Sequence, residues 1–117
     1  MMPASYRPGR KHTRYSLDVR VRLSSGEKEF SVRALDICEG GLGLVSPVEL
    51  AAGSVFKAEM VLPAIQRPFQ AEVQAESRSG FRYGFRFVNV DEENAELIQK
   101  YKRRWGIRAS GRYAAGQ

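Results

Sequence analysis

One cysteine and one histidine in 117 residues leave little for thiol or metal chemistry. Cys38 has no second cysteine to pair with, and with His12 alone beside it no zinc-like ligand set can be assembled. No apolar run approaches the ~18 residues that a membrane-spanning helix needs. Met1 to Arg10 lacks the apolar middle of a secretory leader, so the expected location is the cytoplasm. No nucleophile with a partner base and no paired catalytic carboxylates stand at recognisable spacing, so the chain is expected not to be an enzyme and to carry no cofactor and no metal. No internal repeat is visible. What is present is a globular composition, 43% hydrophobic and 27% charged, in a length that suits one hydrophobic core and not two.

The net charge of +6 is concentrated at the ends. Residues 1–22 carry Arg7, Arg10, Lys11, Arg14, Arg20 and Arg22 against Asp18. Residues 99–117 carry Lys100, Lys102, Arg103, Arg104, Arg108 and Arg112 with no acid, while the middle is acidic, at −5. Two basic ends on an acidic body suggest segments that meet anions; solvated termini are the plainer alternative.

The patterning is that of strands. Leu17, Val19, Val21 and Leu23 alternate with polar residues, and Ser24-Ser25-Gly26 turns the chain into Phe30, Val32 and Ala34. Leu35 and Ile37 then fall in the opposite phase, as where a strand carries a bulge or passes between environments, and this second strand ends near Asp36. Leu42 to Val45 is a short third strand closed by Pro47, Val55 to Leu62 a fourth, and Phe69 to Glu76 a fifth. Phe81, Tyr83, Phe85 and Phe87 give a sixth strand with an aromatic face. Asp91 then suits a helix N-cap, with Glu92 and Glu93 in the first turn and Lys100 to Arg104 in the last. That helix is expected over 92 to about 105, with Leu97, Ile98, Tyr101 and Trp105 covering the strands and Gly106 as its stop. The fold class is therefore mostly β: a six-stranded antiparallel barrel with a C-terminal helix. Residues 1–9 are expected to be a flexible arm, 10–106 the domain, and 107–117 a flexible basic tail.

Two segments stand out. Arg10-Lys11-His12-Thr13-Arg14 precedes the first strand, and Asp36-Ile37-Cys38-Glu39-Gly40-Gly41 lies at the turn from the second to the third. Together they resemble the paired signatures of the PilZ family, RxxxR followed by [D/N]xSxxG about twenty residues later. The likeness continues through Gly80 to Phe87 and into the short helix, covering about residues 10 to 104. The chain departs from the pattern at Cys38, which stands where the motif has serine. It also has Ala75 and Glu76 near the end of the fifth strand, where large aromatics are frequent in the family.

The resemblance implies a receptor for cyclic di-GMP, a second messenger with two guanines and two phosphates. Arg10 and Arg14 would present guanidinium forks to phosphate oxygens or to the O6 and N7 edge of guanine. Asp36 would accept from guanine N1 and N2, donors adenine does not offer. Gly41, helped by Gly40, would let ligand and backbone approach closely. Cys38, a weaker hydrogen-bonding partner than serine, would reduce affinity by about tenfold or less. Binding would be transmitted to a protein partner in control of motility, biofilm or exopolysaccharide. Read without the resemblance, Arg10 and Arg14 are solvated arm residues, Asp36 and Gly41 turn formers, and Cys38 a small buried hydrophobe. Two other classes stay open: a divergent PilZ-like adaptor that binds only proteins, and a basic barrel for nucleic acid. The last lacks exposed aromatics on a basic strand face.

Overall fold

The alternation at residues 17–23 becomes the inner and outer face of a strand. The computed structural model describes residues 13–116, with side chains for residues 13–105, so Arg10 and the arm at 1–9 lie outside the described residues. Six strands and a helix follow in order: β1 (Tyr15–Ser25), β2 (Lys28–Ile37), β3 (Gly41–Val45), β4 (Val55–Val61), β5 (Pro68–Ser79), β6 (Arg82–Asn89) and α1 (Glu92–Gly116).

The strands close into an antiparallel barrel in the order β1-β2-β3-β6-β5-β4. Short hairpins make β1–β2, β4–β5 and β5–β6 neighbours. Closure comes from β1 meeting β4 through Arg22↔Glu59, Leu23↔Ala58 and Ser24↔Lys57. Inward residues of every strand fill the barrel, among them the fully buried Val21, Leu23, Ala34, Leu44, Ala58, Phe69 and Val73. Removing a side chain the size of Phe69 from water contributes roughly 1.5–3 kcal/mol.

The sixth strand departs from its expected pattern at one residue. Tyr83 and Phe85 are buried and Phe87 is half-buried, but Phe81 lies in the β5–β6 turn after Gly80 and is 67% exposed. Its carbonyl accepts from Ser46 N at 3.0 Å, so its backbone holds the turn while its ring does not reach the core.

Asp91 caps α1 as expected, its Oδ1 accepting from Asn94 N at 2.8 Å. These bonds from Asn94, backbone first, hold the Asp91 carboxyl below its usual range. Leu97, Ile98 and Tyr101 are buried against the barrel, and Trp105 meets the Tyr15 ring edge-on at 5.5 Å. The Tyr101 hydroxyl donates to Ser16 O at 2.6 Å, and Asn94 Oδ1 accepts from Gln70 N, pinning the helix to β1 and β5. The helix does not stop at Gly106; it runs to Gly116. A single interior glycine costs only about 1 kcal/mol relative to alanine. The neighbouring Arg108, Ala109, Arg112, Ala114 and Ala115 all favour helix. Lys100 to Arg104 therefore sit mid-helix, and the expected pairing of those charges with the helix end does not apply. No helix among the described residues is long and apolar enough to cross a membrane.

Candidate functional site

The aspartate of the second motif reaches the outer face of the barrel because β2 carries a bulge. The β2–β3 register passes from Ala34↔Leu44 directly to Asp36↔Gly43, leaving Leu35 as the extra residue. Ala34 and Ile37 are consequently both fully buried, and Asp36 points outward from between them. In an unbroken alternation Asp36 would share the inward face of Ala34. The phase change in the sequence at Leu35 is this bulge.

A second bulge lies at the same level on the other side. The β5–β6 register passes from Ala75↔Phe85 to Ser77↔Gly84, leaving Glu76 extra and placing Ser77 opposite Gly84. One transverse row of the outer wall therefore reads Asp36, Gly43, Gly84, Ser77 across β2, β3, β6 and β5. The two central strands have no side chain there, and the side chains from either flank fold over them. A Cβ on Gly43 would come within 2.7 Å of Asp36 Oδ1, and one on Gly84 within 2.5 Å of Ser77 Oγ. A side chain in either place would push the Asp36 carboxylate or the Ser77 hydroxyl aside, so the glycines let both lie down over the strands.

Around that floor lies an open cleft of about 360 Å³, walled by Arg14, Arg78 and Arg82. Arg14 Nη1 donates to Asp36 Oδ1 at 2.8 Å, and Arg82 Nη2 stands 3.7 Å from Asp36 Oδ2. Arg78 is held on three sides: its Nε donates to Gly80 O at 2.9 Å, its Nη1 lies 3.0 Å from Glu49 Oε2, and its guanidinium lies over the Tyr83 ring at 5.4 Å. Three guanidinium groups against the carboxylates of Asp36 and Glu49 leave one surplus positive charge over a smooth floor, which suits a flat anionic ligand.

The other motif residues occupy a different place. A Cβ on Gly41 would overlap the Phe85 carbonyl oxygen of β6, so the room expected there for a ligand is filled by the partner strand. Gly41 is not among the glycines with positive φ. Cys38 is buried at 6% exposure, its N–H donating to Gly41 O at 2.9 Å, and Gly40 O accepts from Phe87 N at 2.9 Å. These three residues shape the β2–β3 turn, whereas Arg14 and Asp36 form the cleft. Arg10, four residues before Arg14, lies outside the described residues. Ala75 is buried and Glu76 pairs with Arg86, so the end of β5 presents no aromatic surface.

The turn is also tied to the helix. Glu39 Oε2 accepts from Gln99 Nε2 at 2.6 Å and from Lys102 Nζ at 2.7 Å. The hydrogen bond to Glu39, with its negative charge, raises the Lys102 ammonium above its ordinary value. Among the described residues no group of three or more His, Cys, Asp or Glu side chains could hold a metal ion.

Reasoning from the motifs missed Gly43, Ser77, Arg78, Arg82 and Gly84. A signal for two of them was present: a glycine on the outward phase of Leu42-Gly43-Leu44 and again of Tyr83-Gly84-Phe85 marks a close approach. The arginines carried none, since only the pairing of β3 with β6 brings Arg82 beside Asp36 and only that of β5 with β6 brings Arg78 into the same cleft.

The PilZ domain family model matches residues 8–104, and the chain belongs to that family. Solved structures agree on the fold. The structure of Escherichia coli YcgR in complex with c-di-GMP is similar over 92% of this chain and 50% of that one, at 20% identity and a TM-score of 0.77. The isolated PilZ domain of YcgR with c-di-GMP matches over 89% of this chain and 96% of that one, also at 20% identity, with a TM-score of 0.69. The Bacillus subtilis inhibitor of motility MotI/DgrA matches over 84% of this chain and 51% of its own, at 14% identity and a TM-score of 0.70. The chain thus spans about half the length of full YcgR and of MotI/DgrA as solved. A search of curated proteins finds no match.

Proposed function

We propose that the protein is a non-catalytic cytoplasmic receptor for cyclic di-GMP that passes ligand binding to a partner protein, in control of motility, biofilm or exopolysaccharide. The observation that carries this reading is Asp36, turned outward by a bulge and held over a glycine floor between two guanidinium groups. A carboxylate there can accept from guanine N1 and N2 once the arginines release it, and the released forks can take phosphate or the O6 and N7 edge. Family membership supports the same reading, as do two similar structures that hold c-di-GMP. Arg10 and Arg14 supply the arm's side of the site. Cys38, Gly40 and Gly41 serve by fixing the turn that carries Asp36.

Calorimetric titration tests the reading. Cyclic di-GMP is expected to bind, and cyclic di-AMP to bind at least about tenfold more weakly, the equivalent of one lost polar contact or more. Equal affinity for the two removes Asp36 from its role. Absence of binding favours the divergent adaptor, whose specific support is the buried thiol of Cys38 in place of the motif's serine.

A further inference from the structure

We propose that Arg82 on β6, a residue outside both motifs, reads a guanine base jointly with Asp36: Asp36 accepts from N1 and N2 while Arg82 donates to O6 and N7. The inference rests on the cyclic di-GMP reading and assigns base specificity within that site.

Guanine places an acceptor, O6, directly beside a donor, N1, with the N2 donors beyond. Its complement is a forked donor next to a carboxylate, and Arg82 beside Asp36 is such a pair. Adenine, with one exocyclic donor and an acceptor at N1, does not match it.

Three features single out Arg82 among the arginines of the cleft. Its 3.7 Å separation from Asp36 Oδ2 exceeds a direct hydrogen bond, and its side chain is 60% exposed, so its fork is not saturated. Arg78, by contrast, is engaged by Glu49, Gly80 and Tyr83. Arg14 donates directly to Asp36 Oδ1 from the stretch that leads into β1. Arg82 also starts from a paired strand, opposite Val45 and Ser79, so its backbone is fixed before ligand arrives.

The test is calorimetry with cyclic di-GMP and with its 7-deazaguanine analogue, which lacks N7. Unaltered protein, Arg82→Ala, Arg82→Lys and Arg33→Ala are compared. Arg33 lies in the same transverse row and pairs with Asp18, outside the cleft, so its removal controls for loss of one charge. Arg82→Ala is expected to weaken cyclic di-GMP binding about 10- to 100-fold. Arg82→Lys should weaken it nearly as much, because one ammonium cannot span O6 and N7. Arg33→Ala should change it less than about threefold, within the range of an exposed charge. The unaltered protein should bind the analogue about tenfold more weakly, and Arg82→Ala should bind the two nucleotides equally. If Arg82→Ala keeps full affinity, or the unaltered protein does not distinguish the analogue, this inference is overturned while the receptor reading stands. If the unaltered protein binds neither nucleotide, both fall. The analogue arm needs no substitution and so decides the matter even if a variant folds poorly.

Discussion

The outer wall of this barrel has two sides built on the same alternation. On the β1–β4 side, Arg22 is paired with both Glu29 and Glu59, and Gln70 donates to Glu59 at 3.2 Å, so these charges are matched within the wall. On the β2–β3–β6–β5 side, two arginines converge on one aspartate, a third lines the same cleft, and the floor beneath is glycine. Both sides are outward faces of paired strands, and both are rich in arginine. What separates them is the small residues and the two bulges at Leu35 and Glu76, which draw the side chains down and leave a surplus of positive charge over open backbone. A strand face becomes a site here by omission of side chains as much as by their presence.

The largest effect is expected beside the floor, at the glycine where β3 leaves the turn and presses against β6. Gly41→Ala would push a methyl group into the Phe85 carbonyl and part β3 from β6. We expect a loss of about 3 kcal/mol, in the range of severe backbone strain. In thermal denaturation that corresponds to a fall of more than about 10 °C for a domain of this size. An unchanged melting temperature would show that the ladder yields easily and that Gly41 is not a structural requirement.

Asp36→Ala should act on binding instead. Leaving Arg14 and Arg82 without their shared acceptor removes the base contacts, and affinity for cyclic di-GMP should fall about 100-fold with little change in melting temperature. Gly43→Ala is milder. It displaces the Asp36 carboxylate by crowding Oδ1, and about a tenfold weakening is expected in the same titration. Retention of full affinity in Gly43→Ala would mean that the aspartate's resting position over the glycine is irrelevant to the ligand.

Much of this contrast was legible beforehand, and the parts that were not have physical reasons. The phase slip from Ala34 to Ile37 admitted a bulge as one of two readings, and Asp91 announced the helix start, because both are local rules of backbone and capping. Gly106 misled, since one glycine is too weak a breaker against the helix-favouring residues around it. Gly41 was expected to make room for a ligand, but whether empty space faces solvent or another strand depends on which strand lies alongside, and Phe85 of β6 is 44 residues further along the chain. The same long-range pairing hid Arg82. Phe81 shared the phase of the buried aromatics, yet the turn at Gly80 took it out of the barrel.

The paired side of the wall offers the smallest effect. The Arg22 hydrogen bond, with help from Gln70, holds the Glu59 carboxyl below its ordinary value of 4.5. A depressed folded value means that its contribution is present above about pH 4.5 and is lost as pH falls through the lower folded value. Glu59→Gln should therefore flatten the acid limb of a stability-versus-pH curve below that point and leave nucleotide affinity unchanged. A steeper acid limb, or weakened binding, would contradict the assignment of this side as structural.

The claim that one wall is the nucleotide site and the other is not can be mapped directly by backbone amide chemical shifts recorded during titration with cyclic di-GMP. Large shifts are expected at residues 36–43 and 77–84, with residues 22–24 and 57–61 unmoved. Shifts centred on the Arg22–Glu59 side, or none anywhere at saturating ligand, would contradict it.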